Sequence, residues 1–257
     1  MTDLEVLNWL EEEYEHPFEG WDFSYLKGRR TALGSLPWDY KTTVENYLIT
    51  ASSLLDIDTG GGEVLADLLR SSAFSGRACA VEAHRPNVPV ARKTLMVLGV
   101  EVHDTSCAPT QFADGTFDLV IDRHGGSISP SEVFRVLKSG GHYITEQIGD
   151  RTNAELRAAF GASPMTRPDW PHNASDASDV FQEIGFDIEA LEEHSFPIRF
   201  VDAGAVVYYL KAVPWEVPEF TIRQNAEALI QLHEFSRDRG YAIDATYHAY
   251  LLIARKP

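Results

Sequence analysis

Short apolar runs and amphipathic segments alternate through the first 150 residues of this 257-residue chain. The runs suit strands buried on both faces, and segments with helical spacing follow them at short intervals. The predicted strands are 53–57, 78–82, 100–103, 117–122 and 142–147, and the predicted helices are 3–14, 42–50, 63–71, 87–98 and 130–137. This alternation favours an α/β fold with a doubly wound, mostly parallel sheet. Ligands of such sheets bind beyond the carboxyl ends of the strands.

The pattern loosens after residue 150. The predicted elements there are helices at 153–161, 176–184 and 221–238, an extended segment at 186–200 and a final strand at 246–254. Periodicity leaves open whether 203–213 is a buried helix or a strand. Residues 17–40 are aromatic and broken by Pro and Gly, which predicts loop or cap material. We therefore expect an N-terminal cap over 1–41, the main domain over 42–257 and a helical insertion at 201–240 before the last strand.

The net charge of the chain disfavours some classes of binding partner. The chain has 22 basic and 39 acidic residues and a formal net charge of −17 at pH 7. An acidic surface repels phosphate backbones and anionic membranes, so we expect neither a nucleic-acid partner nor a membrane. No apolar run approaches the roughly 20 residues of a membrane-spanning helix, and the acidic N-terminus lacks the pattern of a signal peptide. The expected location is the cytoplasm, and the oligomeric state stays open.

The two cysteines, Cys79 and Cys107, have no paired spacing. Neither a disulfide framework nor a zinc site is predicted by such isolated positions. This usage suits a reducing compartment, and we expect no metal site.

The most informative segment is 54–63, which runs from a strand through a turn with three glycines into a helix. Glycines let the backbone bend sharply and approach a ligand, and the helix that follows presents unpaired N–H groups. A phosphate-binding loop would need Gly-Lys followed by Ser or Thr, which is absent. A dinucleotide-binding turn would need a third glycine three residues after Gly62, where Leu65 stands. The spacing suits an acid at the strand end with glycines at alternate positions.

That segment resembles the first motif of the class I S-adenosylmethionine-dependent methyltransferases, type 11-like, in which glycines at every second position follow an acid. Asp56 matches the acid, and Gly60 and Gly62 match two of the three glycines. Asp58 stands where the family usually has the first glycine; it could crowd the methionine part of the cofactor, or adopt a left-handed backbone and face its ammonium. The resemblance implies S-adenosylmethionine as cofactor, contacts from these four residues and Thr59, and a Rossmann-like sheet of seven strands.

Glu82 ends the second predicted strand and, by the resemblance, holds the cofactor ribose; a carboxylate can accept two hydrogen bonds from a diol. The segments 112–120 and 135–141 are also close to family motifs, so that the resemblance spans about residues 50–150. Ser106 and Cys107 take the places of an Asp-Ala pair that contacts the adenine. Because the usual carboxylate is missing there, adenine contact could be through the backbone.

The chemistry is expected at the end of the fourth strand, at Asp122, Arg123 and His124. In this fold the loop there opens beside the transferable methyl group, and Asp122 is expected to face the cofactor. His124 could deprotonate the acceptor, although a lone histidine is more often structural. Arg123 could hold an anionic substrate or pair with a surface acid. The lack of a catalytic triad does not argue against methyl transfer, because positioning supplies much of the barrier reduction.

Aromatic side chains could line the substrate pocket, since aromatic faces attract a sulfonium or ammonium cation. Trp38 and Tyr40 directly precede the helix at 42–50, and Tyr208 lies in the run at 203–213. Packing is the commoner role for such residues. The run at 202–210 resembles a bacterial subgroup of methyltransferases without a settled substrate, and that resemblance supports a helix at 203–213.

The function predicted from the sequence is S-adenosylmethionine-dependent methyl transfer, with a small-molecule acceptor favoured by the charge and the cap. A nicotinamide-dependent oxidoreductase is one alternative, against which the glycine spacing argues. A non-catalytic binding or scaffold protein is another, for which Asp58 is the best support. Neither the acceptor nor the methylated atom is indicated.

Overall fold

Eight strands form one sheet in the computed structural model, which describes residues 1–18, 22–105, 110–126, 129–163, 171–240 and 242–257. The strands are β1 (Arg30–Ala32), β2 (Ser53–Ile57), β3 (Arg77–Glu82), β4 (Glu101–Asp104), β5 (Phe117–Arg123), β6 (Leu137–Ile148), β7 (Asp187–Phe200) and β8 (Ile243–Arg255). Their order across the sheet is β1-β7-β8-β6-β5-β2-β3-β4. The predicted α/β fold with a mostly parallel sheet is therefore confirmed.

The centre of the sheet is parallel. Strand β2 pairs in parallel with β3 on one side and β5 on the other, while β4 pairs with β3 and β6 with β5. Every residue of β2 is buried, because helices cover both faces of such a sheet and its strands are continuous apolar runs. Strand β8 runs antiparallel to β6, and β1 antiparallel to β7. The carboxyl ends of β2, β3 and β5 are therefore neighbours at one edge.

Helices connect these strands. They are α1 (Asp3–Glu15), α2 (Tyr40–Leu48), α3 (Glu63–Ser71), α4 (Val88–Leu95), α5 (Pro130–Val136), α6 (Ala154–Ala159), α7 (Ala174–Ile184), α8 (Ala203–Ala212) and α9 (Ala226–Asp238). Side chains cap several of them; Asp202, for example, accepts a hydrogen bond from the Ala205 N–H at 2.7 Å and begins α8. The run at 203–213 is thus a helix, buried along almost its whole length. No helix of the described residues is long and apolar enough to cross a membrane.

Three of the differences from the sequence prediction have a clear physical reason. The sheet has eight strands rather than seven, because the three residues of β1, within a stretch predicted as loop, pair with β7. Helix α9 begins at Ala226 rather than at 221, because Thr221 and Asn225 hydrogen bond with nearby backbone and side-chain groups instead. Strand β6 begins at Leu137, which already pairs with Phe117, rather than at 142.

The chain divides into two compact units. The first consists of Met1–Leu36, Asp150–Thr166 and Ser195–His248, and the second of Pro37–Gly149, Arg167–His194 and Ala249–Pro257. Each unit has its own apolar core: helix α8 is central to that of the first, and strands β2, β3 and β5 to that of the second. The expected cap over 1–41, main domain over 42–257 and insertion at 201–240 stay predictions.

Candidate active site

The turn between β2 and α3 has a left-handed backbone at three positions. Asp58 has φ 51°, Gly60 has φ 61° and Gly62, which caps α3, has φ 83°. A Cβ atom on Gly62 would lie 2.7 Å from the Cγ atom of Leu95 in α4, whereas a Cβ atom on Gly60 would meet nothing within 4 Å. Gly62 is therefore required by packing as well as by conformation, and Gly60 borders open space.

We expect Gly62→Ala to lower the free energy of unfolding by about 2–4 kcal/mol, since it adds overpacking against fully buried Leu95 to backbone strain. The matched variant Gly60→Ala has the backbone strain alone and should lose about 1 kcal/mol. Urea denaturation of both variants provides the comparison. Equal losses would show that contact between the turn and α4 does not dictate the glycine at position 62.

Asp56 lies at the carboxyl end of β2 and is almost fully buried. The Thr59 hydroxyl donates to its Oδ2 atom at 2.5 Å. Burial raises the pKa of Asp56 to about 7; the Thr59 hydrogen bond opposes this rise, and the charges of Asp58 and Glu82 add to it. This carboxyl group therefore exchanges its proton near neutral pH.

Glu82, at the end of β3, is buried, and each of its two oxygens accepts a backbone hydrogen bond. Its Oε2 atom accepts from the Gly60 N–H at 2.6 Å, and its Oε1 atom accepts from the His84 N–H at 2.6 Å. Burial raises the pKa of Glu82, while these two hydrogen bonds lower it. A carboxylate has about four acceptor positions, so each oxygen retains one for a ligand.

Two carboxylates hold the loop after β5. Asp58 accepts from the Gly126 N–H at 2.8 Å, and Asp122 accepts from the Gly125 N–H at 3.0 Å. Asp122 is fully buried and also accepts hydrogen bonds from side chains of β6: Tyr143, Thr145 and Gln147. Burial, with the charges of Asp58 and Asp56, raises the pKa of Asp122 well above its usual range. The loop is thus attached to the end of β2 and to the core of the sheet.

Glu146 on β6 joins three residues that the sequence singled out, although the sequence did not single out Glu146 itself. This buried carboxylate accepts from Trp38 Nε1 at 2.8 Å and from Arg123 Nε at 2.9 Å, and His124 Nε2 lies 3.3 Å from it. Burial alone would raise its pKa, but His124, Arg123 and Trp38 lower it to about 2. Strand register is the feature that identifies Glu146, because Arg123 and Glu146 are partners across β5 and β6.

Tyr40, the first residue of α2, is buried with a hydroxyl group that has no hydrogen-bond partner among the described residues. The Arg123 guanidinium lies 5.9 Å from the centre of its ring. Burial raises the pKa of Tyr40 well above its usual range, and the charges of Asp56, Asp122 and Glu146 add to this effect. A buried hydroxyl without a partner costs free energy, so this position favours a ligand that supplies one.

The remaining residues predicted for the site are Tyr208, Ser106 and Cys107. Tyr208 belongs to the first unit, is 2% exposed, and donates from its hydroxyl to the Pro17 carbonyl at 3.3 Å. Its ring packs against Tyr25, 4.6 Å between centres. Its role in substrate binding stays a prediction. Ser106 and Cys107, predicted at the adenine, lie outside the described residues.

Comparisons with known proteins agree with this architecture. A family model described as a methyltransferase domain matches residues 55–145. A proposed methyltransferase from Bacillus halodurans C-125 superposes with a TM-score of 0.57 at 21% identity, over 84% of this chain and 99% of that chain. A protein of unknown function from Deinococcus radiodurans R1 gives 0.60 at 14% identity over 100% of both chains. A search of curated proteins finds no significant match.

A third similar structure is a geranyl diphosphate methyltransferase in complex with geranyl diphosphate and sinefungin. Its TM-score is 0.51 at 14% identity, over 84% of this chain and 77% of that chain. At such identities the structural likeness shows the fold. Together with the family match over residues 55–145, it supports the class I methyltransferase fold that the sequence resemblance predicted.

Proposed function

We propose that this protein transfers a methyl group from S-adenosylmethionine to a small-molecule acceptor. One observation carries the proposal. The glycine turn, Glu82 and the loop at 122–126 lie together at neighbouring strand ends, within the residues that match a methyltransferase domain. The fully buried Asp122 belongs to the same group. The net charge of −17 favours a small acceptor over a nucleic acid.

The residues present suit this cofactor. The Tyr40 hydroxyl is buried without a partner among the described residues, and the Cα of Gly60 faces open space. Each of the two residues can thus meet a bound molecule. Asp56, Asp58 and Glu82 supply carboxylates for a ligand that carries a sulfonium and an ammonium group. Glu82 would hold the ribose hydroxyls with its remaining acceptor positions.

The catalytic part of the proposal concerns His124. When bound, S-adenosylmethionine supplies an electrophilic methyl group on a sulfonium leaving group. His124 lies with Nε2 3.3 Å from Glu146, so a proton on Nε2 would leave the lone pair on Nδ1. Nδ1 would then take the proton from the acceptor, and the Glu146 carboxylate would stabilise the imidazolium that forms.

Arg123 would orient the acceptor. Its Nε atom donates to Glu146, and its side chain is 41% exposed. The terminal N–H groups of such a guanidinium can bind a carboxylate or phosphate in a fixed orientation. We therefore propose an acceptor with an acidic group near the atom that is methylated.

Asp58 gives an observation that favours the alternative of a non-catalytic binding or scaffold protein. Its carboxylate already accepts from the Gly126 N–H at 2.8 Å, in the position where the family usually has glycine. In the methyltransferase proposal this bond holds the loop at 122–126 near the turn. In the alternative it closes the site, and the protein would not bind the cofactor.

Binding of S-adenosylmethionine should release a proton from the protein near pH 7. The pKa of Asp56 is about 7, and a cationic ligand nearby favours the ionised carboxylate and lowers that pKa. The affinity should therefore rise roughly threefold or more from pH 6 to pH 8. Titration calorimetry in two buffers with different ionisation enthalpies measures the proton release. Asp56→Asn should reduce it, and binding by the unmodified protein without any proton release would contradict the assigned role of Asp56.

A further inference from the structure

Three side chains on adjacent strands come together outside the site described above. The parallel register of β3 and β4 pairs Cys79 with Glu101 and Val81 with His103. Residues two apart on a strand point to the same face, so Glu101 and His103 lie on one face beside Cys79. The Cys79 Sγ, one carboxylate oxygen of Glu101 and one ring nitrogen of His103 all lie within 4.8 Å of one another.

One ring nitrogen of His103 has a hydrogen-bond partner, and the other can bind a metal ion. Its Nδ1 atom lies 2.8 Å from the side-chain amide of Gln111, and its ring meets the edge of Phe112 at 5.0 Å between centres. Its Nε2 atom is buried without a hydrogen-bond partner among the described residues and lies 3.6 Å from Glu101 Oε2. In metal sites a ligating histidine shows this arrangement, with its second nitrogen bound to an outer partner.

One of the three ligand–ligand distances is already that of a tetrahedral site. Metal–ligand bonds of 2.0–2.3 Å place the ligand atoms roughly 3.3–3.6 Å apart, and the His103 to Glu101 distance is already 3.6 Å. Cys79 is a buried, free cysteine. The side chain of Glu101 is 54% exposed, so its rotation can shorten the distances to its carboxylate without disturbing the core. The Cys79 sulfur and the His103 ring nitrogen lie within 4.8 Å of each other.

We propose that Cys79, Glu101 and His103 bind one Zn²⁺ ion, with water as the fourth ligand. A thiolate with an imidazole and a carboxylate is a ligand set that suits zinc. On binding, the Cys79 thiol loses its proton to solvent and the thiolate sulfur bonds to the ion. The ion would fasten β4, the edge strand of the sheet, to β3.

Arg77 is the charged neighbour that affects this site. Its Nε and terminal N–H groups donate to Glu101 at 3.3 and 3.2 Å. Arg77 would hold the ligating carboxylate from outside, as partners of metal-bound carboxylates do. Its positive charge also lowers the affinity for a cation.

Cobalt titration of the chelator-treated full chain tests the proposal. We expect one Co²⁺ per chain, a near-ultraviolet thiolate-to-cobalt charge-transfer band, and displacement of the cobalt by Zn²⁺. Cys79→Ala and His103→Gln should each weaken binding by more than about 100-fold, since loss of an outer partner alone costs 10–100-fold. Cys107→Ser, which alters the other cysteine of the chain, should retain the band.

A second measurement separates metal binding from folding. Zn²⁺ should raise the thermal midpoint of the unmodified protein by mass action and leave that of His103→Gln unchanged, with circular dichroism showing that the variant is folded. No thiolate band with cobalt in the unmodified protein would overturn the proposal. So would a band that survives in Cys79→Ala and disappears in Cys107→Ser.

Discussion

Replacing Glu146 with glutamine should lower the free energy of unfolding by about 3 kcal/mol at pH 7. The buried Glu146 carboxylate is the shared partner of Trp38, Arg123 and His124. Removing its negative charge leaves these three groups without their charged partner, which is strongly destabilising in buried ion pairs. The magnitude also follows from the fall of the Glu146 pKa from its usual 4.5 to about 2, at about 1.4 kcal/mol per pKa unit. Urea denaturation measures it.

The lowered pKa of Glu146 also predicts how its contribution to stability changes with pH. A carboxyl group whose pKa is lower in the folded state stabilises the protein at pH values above its unfolded pKa. The difference between the unmodified protein and Glu146→Gln should therefore be largest above pH 5, and shrink as the pH falls from 4.5 towards 2. Glu183→Gln, an exposed position on α7, should change stability by less than about 0.5 kcal/mol. A pH-independent difference would show that Glu146 does not act through its charge.

Replacing Glu82 with glutamine should weaken the affinity for S-adenosylhomocysteine by about 100-fold, since hydrogen bonds to a charged group are each worth about 1.5–3 kcal/mol. In the proposed site the two oxygens that accept from Gly60 and His84 also accept from the ribose. A glutamine has one such oxygen and an amide nitrogen that cannot accept. Titration calorimetry measures the loss.

Glu189→Gln is the matched control for Glu82, because it changes a strand carboxylate, on β7, that pairs with His142. Its affinity for S-adenosylhomocysteine should stay within about twofold of the unmodified value. Denaturation of Glu82→Gln shows whether the turn remains folded. Unchanged affinity in a folded Glu82→Gln would contradict the ribose assignment.

The glycine turn and Glu82 could be predicted from the sequence because their signals are local. An apolar run, glycines at fixed spacing and a strand-end acid each lie within a few residues, and alternation predicts that neighbouring strands carry them. The structure joins them through the Gly60 to Glu82 hydrogen bond. Asp58 has the left-handed backbone that one of its two alternatives expected, and its carboxylate accepts from the Gly126 N–H. Its role towards the cofactor stays a prediction.

Glu146 and the cluster of Cys79, Glu101 and His103 could not be predicted in this way. Their neighbours are set by strand register between segments about 23 residues apart, and a shift of one residue would turn each side chain to the other face. The positions of Cys79 and Cys107 along the chain give no indication of this register. Strand β1 was missed because its three residues depend on pairing with β7.

Titration calorimetry of the full chain with S-adenosylmethionine and, separately, with NAD tests the central claim most directly. Saturable binding of one S-adenosylmethionine per chain is expected below about 1 mM, within the usual range for enzyme ligands, and NAD should bind at least about 100-fold more weakly. The turn lacks the third glycine of a dinucleotide-binding turn, with Leu65 in its place, and this accounts for that preference. No saturable binding of S-adenosylmethionine, or tighter binding of NAD, would contradict it.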